Sequence, residues 1–335
     1  MRSADLRRSF AFVLACAFVA VAIAQNQPER ATIVVELGSP PAWAYAIDPP
    51  SRASDTAGKP ADTAPRHVPG STAAFTPAQI GDLYAAVDWH PAGHPPMPDV
   101  VAHGRKPDVF ACGYCHLPNG QGRPENASLA GLPSEYIVRQ MADFREGRRK
   151  ASELKQLPIQ YMIGVASKAN DDEVRAAADY FASLKRKPWI RVVETKTVPR
   201  TRIQGWMLVP AVGREPIANR IIETAVNLEQ TELRNDDSGF VAYVPLGSIA
   251  KGKVLVTTGG GKTIACGLCH GSDLRGKNDV PSIAGCSPSY IVRQLYDIRS
   301  GTRAGTNAAL MKPTVAKLTL EDIISIAAYT SSLHP

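Results

Sequence analysis

Beyond its first 24 residues this 335-residue chain has no apolar run of membrane-spanning length, which excludes a bundle of spanning helices. Aromatics are scarce at 7%, and the formal charge of +7 is spread thinly, with one cluster at REGRRK (145–150). A nucleic-acid surface needs denser cations with aromatics between them, so that class is set aside and the cluster reads as a solvated helix end. Cysteine is scarce too. Six are present, Cys16 falls within the first 24 residues, and the odd remainder of five excludes a simple disulfide scaffold. Apolar residues are not lacking. At 44% they exclude wholesale disorder, and the length allows two domains, each with its own core.

Residues 1–24 read as a secretory signal peptide. Arg2, Arg7 and Arg8 precede an apolar run from Phe10 to Ile23, and A-I-A at 22–24 supplies a small-residue cleavage site. The chain is therefore expected in the periplasm, and an uncleaved signal would hold it peripherally at the membrane. V-L-A-C at 13–16 resembles a lipoprotein site, but the apolar run continues past Cys16. The signal's three arginines and one aspartate take +2 from the formal charge and leave +5 on the mature chain. Residues 25–74, with a Pro-, Ala-, Ser-, Thr- and Asp-rich stretch over 46–72, read as a flexible N-terminal extension.

The organising feature is an internal repeat. A shift of 154 carries Cys112, Cys115 and His116 onto Cys266, Cys269 and His270, Gly122 onto Gly276, and Gly131 onto Gly285. It also carries YIVRQ at 136–140 onto YIVRQ at 290–294, and ten of the twenty residues from 131 to 150 are identical under it. Past residue 150 the shift becomes 149 and aligns EVRAAADYFASL (173–184) with DIISIAAYTSSL (322–333). This is a duplicated domain. Both copies read as helical: Ile137 and Met141 share a face, and Asn170 with Glu173, and Thr319 with Asp322, form matched capping-box signals. The expected fold class is all-α, with copies at 75–189 and 248–335. The insertion at 190–247 carries two strand signals, RIQGWMLV and GFVAYVPL.

Each copy holds one C-x-x-C-H unit. A structural zinc needs four ligands from two nearby pairs, and here the second pair lies 154 residues away. A redox dithiol needs a strand-to-helix setting, and these pairs sit in Gly- and Pro-rich loops. Covalent haem accounts for what both leave out, the histidine that follows directly each time: the thiols bond the porphyrin and the histidine ligates iron. Two haems would bring four propionates and cut the mature charge to about +1.

A second axial ligand is sought at a shared register. Met162 and Met311 are related by the shift of 149, whereas Met141 becomes Leu295, and Met97 and Met207 flank the stretch that carries the matched motifs. His90, His94 and His103 lie in a Pro-rich run before the first unit and read as structural loop histidines. Cys286, which replaces Leu132, reads as a small apolar filler. TTGGGKT (257–263) lacks the first glycine of a phosphate loop, its place being taken by Val256, and reads as a tight turn into the second unit. Tyr136, Arg139, Tyr290 and Arg293 recur at equal spacing and are candidate propionate contacts.

CGYCH and CGLCH, each followed by AGxxxxYIVRQ, a Met and a terminal helix, resemble the class I cytochromes c; the tandem arrangement resembles the c4-type dihaem cytochromes. The resemblance covers roughly 100–187 and 250–334. It implies small helical domains, two covalent haem c groups, His/Met ligation by His116 with Met162 and His270 with Met311, and periplasmic electron transfer. Redox partner proteins, a dehydrogenase or an oxidase, are implied with it. The alternative is a dihaem enzyme of the peroxidase or thiosulfate-oxidising type, disfavoured because both copies keep their methionine. The long extension and the insertion depart from compact family members, and suggest a docking surface.

Overall fold

A computed structural model of the chain describes residues 38–49 and 62–335; the signal peptide read at 1–24 lies outside the described residues. The first half runs through α1 (Pro77–Ile80), a 3-10 turn at Pro91–Gly93, α2 (Asp99–Ala102), α3 (Cys112–His116), α4 (Ser134–Arg145), α5 (Leu157–Lys168) and α6 (Asp171–Ser183). Then come β1 (Ile190–Thr195), β2 (Thr197–Gln204), β3 (Met207–Pro216), β4 (Ile222–Ala225), α7 (Leu228–Glu232) and β5 (Phe240–Pro245). The second half holds α8 (Ser248–Thr258), α9 (Gly267–His270), α10 (Pro288–Ser300), α11 (Thr306–Ala309), α12 (Lys312–Val315) and α13 (Leu320–Ser332).

All five named strands fall between residues 190 and 245. The all-α expectation therefore holds for the two halves, and the strand signals of the insertion are realised. β5 is the central strand of a three-stranded sheet, parallel to β1 and antiparallel to β4. β2 and β3 form a separate hairpin that reverses at Gly205–Trp206, both in left-handed backbone at φ 59° and 62°.

The repeat is visible in the backbone. Gly131 N–H donates to Phe181 O and Gly285 N–H to Thr330 O, both at 2.9 Å, tying the loop after each C-x-x-C-H unit to the last helix of its half. Both last helices begin in the expected capping boxes, Asn170 with Glu173 and Thr319 with Asp322. In the second half α8 crosses α13 at Gly252, where an added Cβ would stand 1.9 Å from Ser325 O. Only glycine permits that approach. The apolar faces bury Val101, Ile137 and Phe181 in the first half, and Val292, Ile323 and Ile324 in the second.

The extension needs a correction. Composition predicts flexibility over 25–74, yet residues 38–49 pack on the second half: Ala44 and Tyr45 are buried, and the Tyr45 hydroxyl donates to Asp297 at 2.7 Å. A few aromatic and carbonyl groups docking on α10 outweigh local composition, which sees no long-range partner.

The two halves meet in a short antiparallel bridge. Arg149 lies opposite Arg303, Lys150 N–H donates to Thr302 O at 2.8 Å, and Ala304 N–H to Arg148 O at 2.7 Å. The bridging residues are 154 apart in sequence, so each half offers the same segment to the other.

Candidate functional site

The C-x-x-C-H units shape their own turns. After His116 the chain reverses through Leu117 at φ 63°, and Gly122 N–H returns to His116 O at 2.9 Å; after His270 it reverses through Gly271 at φ 85°, and Gly276 N–H returns to His270 O at 2.8 Å. Each imidazole is held by a carbonyl. His116 Nδ1 donates to Ala127 O and His270 Nδ1 to Pro281 O, both at 2.8 Å, and the acceptors are themselves 154 apart. This bond fixes the ring and the tautomer and leaves Nε2 with its lone pair, as a metal-ligating histidine requires. Burial pushes both imidazoles below their ordinary pKa, against the pull of those carbonyls, and keeps them neutral.

The thiols are not those of a redox pair. Burial pushes Cys112 up to about 12 and Cys266 up to about 11, and raises Cys115, whereas a catalytic dithiol needs a lowered thiol. The zinc alternative finds no cluster of three or more His, Cys, Asp or Glu ligands among the described residues.

Cys112, Cys115 and His116 open onto a cavity with a mouth to solvent. Its walls are largely apolar, with Val100, Leu132 and Val165 among them, and Met162 on α5 lines it together with His116. Its far end is polar and shared between the halves, where Gln140 and Arg149 meet Tyr290 and Gln294. There the bridge arginines form a reciprocal network. Arg149 donates to its own half's Gln140 at 2.9 Å and to Tyr290 and Gln294 of the other at 3.1 and 3.3 Å. Arg303 donates to its own half's Gln294 at 2.9 Å and to Tyr136 and Gln140 of the other, both at 3.0 Å.

The Asp297 carboxylate, which lines the cavity, acts on Arg303 from a distance. Among the described residues no carboxylate forms an ion pair with either, and the buried Arg303 Nε has no partner at all. Burial opposes ionisation of the Tyr136 hydroxyl, but Arg303 and Arg149 outweigh it and lower its pKa. An apolar slot with two thiols and a ligand-ready imidazole, and with Arg149, Arg293, Tyr136 and Tyr290 at its polar end, fits a haem with its propionates.

Several expected site residues are placed otherwise. Arg139 lies outside the cavity and pairs with Asp279 at 3.1 Å; Arg293 lines it, but donates to Ala44 O and Pro124 O at 2.8 and 2.6 Å. The identical spacing marks a real equivalence, since each arginine reaches a loop of the other half, and the cavity lining adds Arg149, which the sequence reading did not single out. Arg149 and Arg303 are carried onto each other by the same shift, so the sequence held the signal. Met311 stands between α11 and α12, half-buried against the second core, while Met162 lies inside an unbroken helix. His94 is bound to Asp88 at 3.2 Å and to the Tyr180 hydroxyl at 3.1 Å, and His90 to Asn235 at 3.2 Å; neither lines the cavity. Cys286 is buried with the Arg186 guanidinium 3.1 Å from its sulfur.

The insertion covers the first site, a role that spacing did not reveal. Arg234 lies over the Tyr114 ring at 3.5 Å and donates to Tyr114 O at 2.8 Å. From the β2–β3 turn Trp206 lines the cavity beside Tyr161, ring to ring at 5.9 Å, with its Nε1 buried and unpartnered.

Among known proteins, the cytochrome c family model matches residues 104–185. The chain is 44% identical over 68 residues to cytochrome c-554(548) of Halomonas halodenitrificans, a match covering 20% of this chain and 82% of that protein. It is 26% identical over 230 residues to cytochrome c4 of Azotobacter vinelandii, covering 67% of this chain and 84% of that one. A further relative, 24% identical over 216 residues, is the thiosulfate dehydrogenase electron acceptor of Thiomonas intermedia, with 64% and 74% covered.

Proposed function

We propose, from the premise that the chain belongs to the cytochrome c family, that it is a periplasmic two-haem electron carrier built as two tandem cytochrome c domains. Cys112 and Cys115 hold one haem c and Cys266 and Cys269 the other, with His116 and Met162, and His270 and Met311, as axial ligands. Bound there, the haems supply reversible one-electron exchange at iron. The chain does the rest. Ala127 O and Pro281 O orient the two imidazoles, the apolar walls exclude water, and Arg149 and Arg303, with Tyr136 and Tyr290, face the propionate ends. The observation that carries this reading is the pair of histidine–carbonyl bonds, equal at 2.8 Å and related by the repeat.

A methionine on both irons leaves no open coordination position, which favours a carrier over a peroxide- or thiosulfate-oxidising enzyme. Electrons come from a dehydrogenase or membrane complex and pass to an oxidase as terminal acceptor; the Thiomonas relative, an electron acceptor of a dehydrogenase by its name, supports a dehydrogenase as the donor. The test is a pyridine haemochrome assay on purified chain, alongside Cys112→Ser/Cys115→Ser and Cys266→Ser/Cys269→Ser. Two haems per wild-type chain and one in each double variant are expected. A single haem in the wild type overturns the reading.

A further inference from the structure

The repeat allows the surroundings of the two sites to be compared position by position. Phe110, Tyr114 and Tyr161 border the first; the shifts of 154 and 149 place Ile264, Leu268 and Leu310 at the same positions of the second. In the first half all three are covered. Tyr114 lies under Arg234, Tyr161 packs on Trp206, and Phe110 stands between the rings of Tyr84 and Tyr161 at 5.2 and 5.5 Å. In the second half all three are bare: Ile264 is 47% exposed, Leu268 73% and Leu310 77%. Cys269 is exposed where its counterpart Cys115 is not. The bare positions belong to one surface, since the Thr263 hydroxyl donates to Thr314 O at 2.6 Å and joins the α9 loop to α12.

Charge sets this surface apart as well. Residues 251–277 and 306–317 carry seven lysines and arginines and the carboxylate Asp273, and with Lys251 and Lys262 paired to Glu321 and Asp322 five cations remain; the corresponding 97–123 and 157–168 carry four against two. Lys253, Lys312 and Lys317 are exposed.

We propose that the chain exchanges electrons with its partners only at the second site, through an apolar centre of Ile264, Leu268 and Leu310 inside a basic collar. The partner surface it fits is acidic around an apolar contact. At the first site the chain's own insertion covers the equivalent surface, with Trp206 and Arg234 lying where a partner would dock. Electrons reach it through the second, across the polar boundary where Arg149 and Arg303 meet. One electron passes from the reduced partner to the second site and on to the first, so each partner encounter oxidises the partner by one electron. The arrangement rests on the two-haem reading above, and its own content is the inequality of the two sites.

The test is stopped-flow reduction of the loaded protein by flavodoxin hydroquinone, an acidic one-electron donor. The variants are Lys253→Glu/Lys312→Glu and Leu268→Glu at the second site, and Lys155→Glu beside the first as control. At low salt the second-site lysine variant should slow the bimolecular phase by about tenfold or more, flatten its salt dependence, and leave the control within about twofold. Far-ultraviolet dichroism and haem content establish that each variant is folded and loaded; wild type lacking two haems would fail the function, not this inference. Equal slowing by the control, or no slowing with two haems present, overturns the single-door arrangement. Sedimentation of a dimer that Leu268→Glu dissociates would also overturn it, giving the surface to a second copy of the chain.

Discussion

Arg149 and Arg303 hold the polar boundary between the two halves. Each is a guanidinium amid tyrosine and glutamine side chains, a costly arrangement unless an anion completes it. With propionates in place the cations favour the reduced, less positive centre. Arg149→Ala and Arg303→Ala are therefore expected to lower a reduction potential, each by tens of millivolts as an order of magnitude, in spectroelectrochemical titration. Arg139→Ala, which removes a pair with Asp279 outside the cavity, should leave both potentials in place. A reversed ranking would return the propionate role to Arg139.

At the scale of elements, α8 and α13 carry the second half. Gly252→Ala would drive a methyl into Ser325 O and is expected to cost about 3 kcal/mol in denaturant unfolding. The α13 cap has a pH signature. The Asp322 carboxylate is buried, which opposes its ionisation, but Lys262, Lys251 and the Thr319 cap outweigh burial and hold its pKa below the usual range. A depressed pKa contributes stability above the ordinary carboxylate value and loses it as pH falls. Asp322→Asn should thus lower Tm at pH 7, and its deficit should shrink as pH drops below about 4. A pH-independent deficit would assign the effect to packing.

These elements also show what sequence can display. The capping boxes, the YIVRQ helices and the C-x-x-C-H turns were legible because each is fixed by residues within a few positions of one another. Arg149 was legible in principle, as one identity among ten. Arg234 over Tyr114, Trp206 beside Tyr161 and Tyr45 on Asp297 were not, since each contact joins segments whose separation no local pattern encodes.

For the whole molecule, the two C-x-x-C-H units related by the repeat have unlike surroundings, the insertion lying beside the first. The halves share a polar boundary, so the first cavity has a wall contributed by the second half, and the insertion lies over the side of the first site that its twin leaves open. No helix among the described residues is long and apolar enough to cross a membrane. The claim beneath all of this is that each half holds one His/Met-ligated haem. The most direct measurement is the optical and electron paramagnetic resonance spectrum of the ferric protein, with Met162→Ala and Met311→Ala alongside. Two low-spin haems, each losing its methionine–iron band in one variant and keeping it in the other, are expected. A high-spin or bis-histidine haem in the wild type would contradict the account.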